Sequence, residues 1–211
     1  MIRVLIADDH PIIRRGLREI VSAEADLEVA GEAGNAVEAL TALRGGGFDV
    51  VLMDITMPGR SGLEALKDIR VEFPALPVLM LSIHPEDQYA VRALKAGASG
   101  YLTKESAPEE LVGAIQRVVR GGRYVSGALA ERLAAEIGGA ERPDEAHAAL
   151  SDREFEVLVL IGRGRGVSQI AADLCLSVKT VSTYRTRILE KLGLESTADL
   201  IRYVIEKGLA D

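Results

Sequence analysis

Acidic residues follow two apolar segments of the sequence at the point where each segment ends. Asp54 ends the segment 50–54, and Asp8 and Asp9 directly follow the segment 2–7. Such apolar runs are typical of strands buried on both faces of a parallel sheet, and open α/β sheets bind their ligands at the carboxyl ends of the strands. Three carboxylates that meet at this edge repel one another unless a hard cation holds them together. The pattern therefore indicates a metal-assisted site with Asp54 as a candidate nucleophile for a phosphoryl group.

Two further predicted strands end beside polar residues that could complete this site. The hydroxyl of Ser82 could hydrogen-bond a phosphoryl oxygen, and the ammonium of Lys104 could pair with the phosphoryl charge. Mg²⁺ suits the site because it takes carboxylate ligands while keeping several waters, and Mn²⁺ is an alternative. The predicted ligands are Asp8, Asp9, Asp54 and the backbone carbonyl of Thr56. His10 is interpreted as a loop residue beside the acids.

Alternating strand and helix patterns must position these side chains. Strands are predicted at 2–7, 27–33, 50–54, 77–82 and 99–103, and helices at 11–23, 35–44, 61–73, 86–96 and 107–120. Five strands that alternate with five helices predict a parallel sheet with helices on both faces. Pro11, Asn35 and Ser61 are the start signals of three helices.

The sequence after residue 125 predicts a helical bundle without strands. A short helix is predicted at 126–137, and the polar segment 138–145 is the best linker candidate because it holds both Gly and Pro. Four further helices are predicted at about 152–162, 167–174, 178–192 and 197–207. Their predicted N-caps are Ser151, Ser177 and Thr197, and Ser151 with Glu154 makes a capping box.

Two of these helices, joined by the bend 175–177, match a helix-turn-helix. The residues expected to pack the two helices together are Ala171, Leu174, Leu176 and Val181. The opposite face carries Lys179, Ser182, Thr183, Thr186 and Arg187. Because Ser and Thr can reach base edges while Lys and Arg neutralise phosphates, this face is a candidate DNA-binding surface. A solvated helix face is the alternative.

Charge and composition limit the possible function classes. The net charge of −7 argues against a general nucleic-acid binder, but the helix at 178–192 concentrates four basic residues against one Glu. No apolar stretch approaches the length of a membrane span, and the first residues lack a secretory signal pattern. Cys175 is the single cysteine, so no internal disulfide can form, which suits a reducing cytoplasm. Cys175 itself is expected to be a small buried helix residue.

The acidic site resembles the receiver domain of bacterial response regulators, a five-stranded flavodoxin-like or CheY-like α/β fold. The resemblance lies in Asp8-Asp9, Asp54 with Met57-Pro58-Gly59, Ser82 and the segment 100–104, and it covers about residues 1–122. It implies that Asp54 takes a phosphoryl group from a sensor histidine kinase. It also implies that Ser82 and Tyr101 form a switch pair, in which the hydroxyl moves toward the phosphoryl group and the ring turns inward.

The segments 150–158 and 176–184 resemble the four-helix LuxR-type DNA-binding domain, so the whole sequence is similar to the NarL/FixJ subfamily of transcription factors. The expected organisation is a receiver domain at 1–122, a linker with a short helix at 123–147 and a DNA-binding domain at 148–211. The resemblance implies a double-stranded DNA operator as partner. Because a single small domain makes too few contacts for tight specific binding, we expect a homodimer on two half-sites when the protein is phosphorylated or on DNA. The candidate dimer residues are Leu200, Ile201, Val204 and Ile205, with burial in the core as the alternative.

Three other functions fit the sequence less well. Phosphatases with an aspartate nucleophile typically carry a second Asp two residues later, where this chain has Thr56, so general acid catalysis lacks its residue. A dinucleotide-binding enzyme would need a Gly-rich turn after the first strand, where the sequence reads Asp8-Asp9-His10-Pro11. A receiver that acts by protein contact alone is a further alternative, which a complete acidic site disfavours. The sequence therefore predicts a signalling transcription factor and not an enzyme.

Overall fold

The computed structural model of the chain describes residues 1–83, 86–131 and 146–209. The chain divides into two compact units, Met1–Ala135 and Glu136–Asp211. Within the described residues, no helix combines the length and the apolar character that crossing a bilayer requires. The peptide bonds of the same residues are all trans, including the bond between Thr103 and Lys104.

The first unit contains a five-stranded parallel sheet in the order β2-β1-β3-β4-β5. The strands are β1 (Ile2–Ala7), β2 (Leu27–Ala33), β3 (Val50–Asp54), β4 (Val78–Ser82) and β5 (Gly100–Thr103). Every residue of β3 and β4 is buried, as expected for central strands covered on both faces. The predicted sheet is confirmed, with strand bounds that agree to within one residue.

Five helices connect and follow these strands: α1 (Pro11–Ser22), α2 (Ala36–Gly45), α3 (Gly62–Glu72), α4 (Glu86–Lys95) and α5 (Ala107–Val119). Because the strand order reverses at β1, right-handed crossovers put α1 on one face and α2, α3 and α4 on the other. α5 packs beside α1. The predicted start signals are confirmed, since Pro11 is the first residue of α1 and the side chains of Asn35 and Ser61 cap α2 and α3.

Residues after α5 lead toward the second unit. A helix, α6, begins at residue 127 and is described through residue 131, so the start of the short helix predicted at 126–137 is confirmed to within one residue. The remainder of that helix and the predicted linker at 138–145 lie outside the described residues. The described part of the second unit begins with a 3₁₀ helix at Ala146–Ala149 that the sequence patterns did not indicate.

Four α-helices follow within residues 146–209: α7 (Asp152–Gly162), α8 (Val167–Asp173), α9 (Val178–Leu192) and α10 (Thr197–Glu206). Ser151 and Glu154 form the predicted capping box of α7, and the side chain of Ser177 caps α9. The predicted cap of α10 is wrong by one residue. Ser196, with extended backbone, accepts a hydrogen bond from the Asp199 N–H, whereas Thr197 is already helical.

The contact between α7 and α10 requires a glycine. A Cβ at Gly162 would lie 2.2 Å from Cγ1 of Val204, well inside van der Waals contact. Phe155 and Leu158 on α7 and Leu200 on α10 are buried as well. The face of α10 that carries Leu200 and Val204 therefore enters the core of the second unit.

Candidate acidic site and helix-turn-helix interface

One lysine joins two carboxylates at the carboxyl edge of the sheet. Asp8 directly follows β1, Asp54 ends β3 and Lys104 directly follows β5. The Lys104 Nζ lies 2.6 Å from Oδ2 of Asp8 and 2.8 Å from Oδ2 of Asp54. The sheet thus brings together side chains that are far apart in the sequence, as the strand-end pattern predicts.

The two carboxyl groups lie in a nearly dry environment. Asp8 is fully buried and Asp54 is 2% exposed. Burial raises the pKa of Asp54 to about 7, because the opposing charge of Lys104 is a smaller effect and the Asp8 carboxylate adds repulsion. Burial acts against the charge on Lys104, but the Asp54 and Asp8 carboxylates outweigh it and raise the pKa of Lys104 above its ordinary value. Lys104 therefore compensates only part of the negative charge.

The acidic cluster fits a divalent metal ion. Asp8, Asp9, His10 and Asp54 each offer one ligand atom, and these atoms all lie within 4.8 Å of one another. Three carboxylates supply the hard oxygen ligands that divalent cations such as Mg²⁺ prefer. His10 lies in the loop between β1 and α1, as interpreted from the sequence, and its Nδ1 is 2.8 Å from Oδ1 of Asp9.

Two residues that the sequence analysis missed support the backbone of this cluster. The Arg14 Nη1 on α1 donates a hydrogen bond of 2.5 Å to the backbone oxygen of Asp8. Gly62, the first residue of α3, lies so close to β3 that an added Cβ would be 1.8 Å from the backbone oxygen of Asp54. Neither contact has a local sequence signal, because both depend on how a helix packs against a strand end.

The two predicted switch residues are both buried. Ser82 ends β4 and is 1% exposed, while Tyr101 on β5 is fully buried. The Tyr101 N–H donates to the backbone oxygen of Tyr124 at 3.2 Å, which extends the edge of the sheet. The Tyr101 ring therefore lies inside the unit in this structure.

A Schellman motif forms the turn between α8 and α9. The N–H of Leu176 donates to the Ala171 oxygen at 2.8 Å, and the N–H of Cys175 donates to the Ala172 oxygen at 3.2 Å. Cys175 consequently has a φ of +51°, in the left-handed region that glycine usually occupies at this position. Cys175 is exposed, so its interpretation as a small buried helix residue is wrong.

Apolar and polar contacts hold this turn against the rest of the second unit. Ala171, Leu174 and Val181 are buried, and Leu176 is half-buried, in agreement with their predicted packing role. The buried Arg153 on α7 pairs with Glu156. Its Nη2 also donates to the backbone oxygen of Leu174 at 3.4 Å, at the end of α8. The helix-turn-helix is thereby fixed to α7.

The outer face of α9 carries the predicted DNA-contact residues. Lys179, Thr183, Thr186 and Arg187 are exposed, and Ser182 is half-buried. The hydroxyl of Thr183 donates to the Lys179 oxygen and that of Thr186 to the Ser182 oxygen, at 3.0 and 3.1 Å. Both hydroxyls keep lone pairs that can accept hydrogen bonds from outside the helix.

Comparisons with known proteins identify both units. Residues 4–116 match the response regulator receiver domain, and residues 148–204 match the luxR family of bacterial regulatory proteins. The chain belongs to the response regulators. It is a DNA-binding two-component response regulator of the NarL/FixJ subfamily, a transcription factor and not a conventional enzyme. The expected fold class and function are confirmed.

Similar response regulators match over the full length of the chain. UvrY of Escherichia coli strain K12 is 37% identical over 211 residues, which cover 100% of this chain and 97% of the relative. GacA of Pseudomonas aeruginosa strain PAO1 is 38% identical over 211 residues, covering 100% and 99%. The solved structure of RcsB from Salmonella enterica serovar Typhimurium, bound to promoter rprA with the phosphomimetic BeF₃⁻, is 28% identical. It has a TM-score of 0.65, with 96% of this chain and 97% of RcsB covered.

The four candidate dimer residues of this response regulator separate into two pairs. Leu200 and Val204 are fully buried in the core of the second unit, so they do not offer a dimer face and that part of the interpretation is corrected. Ile201 is half-buried and Ile205 is 65% exposed. Only the outer pair remains a candidate for contact with a second copy.

Proposed function

We propose that Asp54 accepts a phosphoryl group from a sensor histidine kinase and that this modification controls DNA binding by the second unit. The observation that carries the proposal is the Lys104 ammonium, which contacts the carboxylates of both Asp8 and Asp54 at the carboxyl edge of the sheet. A lysine fixed beside the acceptor can pair with the phosphoryl oxygens as soon as they arrive.

The residues of the acidic site have separate roles in the proposed phosphoryl transfer. One Asp54 oxygen attacks the phosphorus in line, the bond from phosphorus to the phosphohistidine nitrogen breaks, and the nitrogen keeps the bonding electrons. We assign Asp8, Asp9, Asp54 and the Thr56 carbonyl as ligands of Mg²⁺, with Mn²⁺ as an alternative. When bound, the ion would neutralise charge on the transferring group and would favour the ionised form of Asp54, whose pKa burial raises to about 7.

The proposed switch uses the two buried residues at neighbouring strand ends. The Ser82 hydroxyl donates a hydrogen bond to a phosphoryl oxygen, and the inward position of Tyr101 belongs to the state in which Ser82 has made that contact. The negative charge gained at Asp54 then shifts the equilibrium between the two positions of Ser82 and Tyr101. The receiver surface near β4 and β5 changes with that equilibrium.

The proposed output is binding of a double-stranded DNA operator by a homodimer in the cytoplasm. Ser182, Thr183 and Thr186 are assigned to base edges, and Lys179 and Arg187 to phosphates. Two half-sites are needed because one small domain buries too little surface for tight specific binding. Support for a dimer face on α10 comes from the exposure of Ile205 beside Ile201.

Phosphorylation from acetyl phosphate tests the assignment of Asp54. We expect the wild-type protein to take label in Mg²⁺ and to lose labelling with a chelator, and Asp54→Ala to remain folded but take no label. Asp49→Ala is the matched control, because Asp49 precedes the same strand at its opposite end and accepts a hydrogen bond from the Arg3 N–H. Labelled Asp54→Ala protein, or loss of label in Asp49→Ala, would contradict the assignment.

A further inference from the structure

The positive side chains of the second unit separate into ion-paired and unpaired groups. Three cations within residues 146–209 pair with carboxylates: Arg153 with Glu156, Lys191 with Glu154 and Arg202 with Asp199. The other six have no carboxylate within ion-pair distance in this described part of the chain: Arg163, Arg165, Lys179, Arg185, Arg187 and Lys207. Three of the six lie on α9, and two lie in the loop that leads into α8. Among the described residues 146–209, the unneutralised positive charge is therefore concentrated at the helix-turn-helix and its entry loop.

The backbone of this entry loop is fixed by hydrogen bonds to α7. The Gly164 N–H donates to the Ile161 oxygen at 2.9 Å, and the Arg165 N–H donates to the Leu160 oxygen at 3.1 Å. Gly164 has a φ of +76°, which lets the chain leave the helix at this point. Because the loop backbone is already ordered, binding a ligand through Arg163 and Arg165 would cost mainly side-chain entropy.

We propose that Arg163 and Arg165 bind backbone phosphates of the DNA beside the half-site that α9 reads. In a helix-turn-helix the first helix crosses the DNA backbone while the second lies in the major groove. Arg165 directly precedes Gly166, the N-cap residue of that first helix, and its side chain is exposed. A guanidinium matches the geometry of a phosphate and keeps its charge at every physiological pH. This inference rests on the proposed DNA-binding function.

The negative net charge of the chain makes these two arginines important for DNA binding. The protein carries −7 overall, so its affinity for DNA depends on local positive charge. On α9, Lys191 is engaged with Glu154 at 2.6 Å and is not available for phosphate in this structure. Lys179, Arg185 and Arg187 remain on α9, and the loop adds two further cations directly before the first helix of the helix-turn-helix.

The salt dependence of DNA binding tests the proposal in the full-length protein treated with acetyl phosphate. The probes are a duplex enriched from random-sequence DNA by the wild-type protein and a shuffled duplex of equal length. Fluorescence anisotropy gives the affinity for each between about 50 and 200 mM salt. We expect the double variant Arg163→Ala, Arg165→Ala to bind both duplexes more weakly by the same factor. Its slope of log affinity against log salt should be shallower by about 1.8 per bound protomer, since each phosphate contact contributes about 0.9.

Two control variants separate phosphate binding from a structural effect. The double variant Arg163→Lys, Arg165→Lys keeps both charges and should keep most of the slope. Lys207→Ala removes another unpaired cation at the end of α10, away from the helix-turn-helix, and should leave the slope unchanged. An unchanged slope in the alanine double variant, or an equal loss in Lys207→Ala, overturns the proposal. If the wild-type protein enriches no DNA, the proposed function fails, and the phosphate assignment fails with it.

Discussion

The substitution Gly62→Ala is expected to displace Asp54, the proposed phosphoryl acceptor, without changing its side chain. An added Cβ would lie 1.8 Å from the backbone oxygen of Asp54, whereas Cβ contacts below 3.0 Å are essentially never seen. The start of α3 and the end of β3 must therefore separate by at least about 1.2 Å, the difference between these two distances. Both atoms belong to rigid parts of the chain, so no flexible side chain can absorb the displacement.

The expected losses of phosphorylation rate and of stability follow from this displacement. A misplacement of about 1 Å in reacting groups can cost about 100-fold in rate. Overpacking of a buried position costs about 1–3 kcal/mol, while small domains are stable by about 5–15 kcal/mol. We therefore expect a folded Gly62→Ala protein whose Asp54 is phosphorylated about 100-fold more slowly than in the wild type.

The initial rate of labelling by acetyl phosphate in excess Mg²⁺ measures this effect, at a temperature well below the melting point of the variant. Gly113→Ala is the matched control, because Gly113 lies within α5 and an added Cβ there meets nothing within 4 Å. That control should gain roughly 1 kcal/mol of stability from helix propensity and keep the wild-type rate. A folded Gly62→Ala protein that is labelled at the wild-type rate would refute the reasoning.

Three further predictions concern the second unit. Cys175→Gly should raise the free energy of unfolding in urea by about 1 kcal/mol, because glycine avoids the cost of the left-handed conformation; no gain would contradict that cost. Burial opposes the charge of Glu154, but hydrogen bonds from Lys191 and the α7 cap outweigh it and lower the pKa of Glu154. The stability advantage of wild type over Glu154→Gln should thus be present at neutral pH and shrink as the pH falls below about 4.5, in urea titrations at several pH values. Leu200→Ala should cost about 2–5 kcal/mol, whereas Ile205→Ala should cost below about 0.5 kcal/mol and weaken dimerisation in sedimentation experiments.

The acidic site could be predicted from the sequence because each of its parts has a local signal. Apolar runs indicate the strands, and the residue after each run gives the chemistry. A parallel sheet then brings the strand ends to one edge whatever the details of packing, so the contacts of Lys104 with Asp8 and Asp54 follow from topology. Gly62 and Arg14 could not be predicted, since their roles depend on distances between α3 or α1 and a strand end.

Two wrong predictions, the burial of Cys175 and the cap of α10, share one physical origin. Burial is predicted for Cys175 because cysteine is often a small buried residue. The hydrogen bonds that close α8 instead put Cys175 at the exposed left-handed position of the turn. Ser196 and Thr197 are adjacent hydroxyl residues with equal claims as caps, and the backbone conformation decides between them. In both cases the end of a helix determines the outcome, and helix ends are the least certain part of a sequence pattern.

Helical periodicity does not tell which apolar residues of α10 face the core, but one contact with α7 does. Leu200 and Val204 are four residues apart, as are Ile201 and Ile205, so helical spacing favours neither pair for the core. Gly162 on α7 favours the first pair, because its missing side chain leaves room for Val204, whose Cγ1 would lie 2.2 Å from an added Cβ. Leu200 is drawn into the core with Val204, and the Ile201–Ile205 pair turns outward by roughly 100° of helix rotation. A dimer face built on this outer pair would leave the core of each protomer intact, so loss of dimerisation and loss of stability should be separable by mutation.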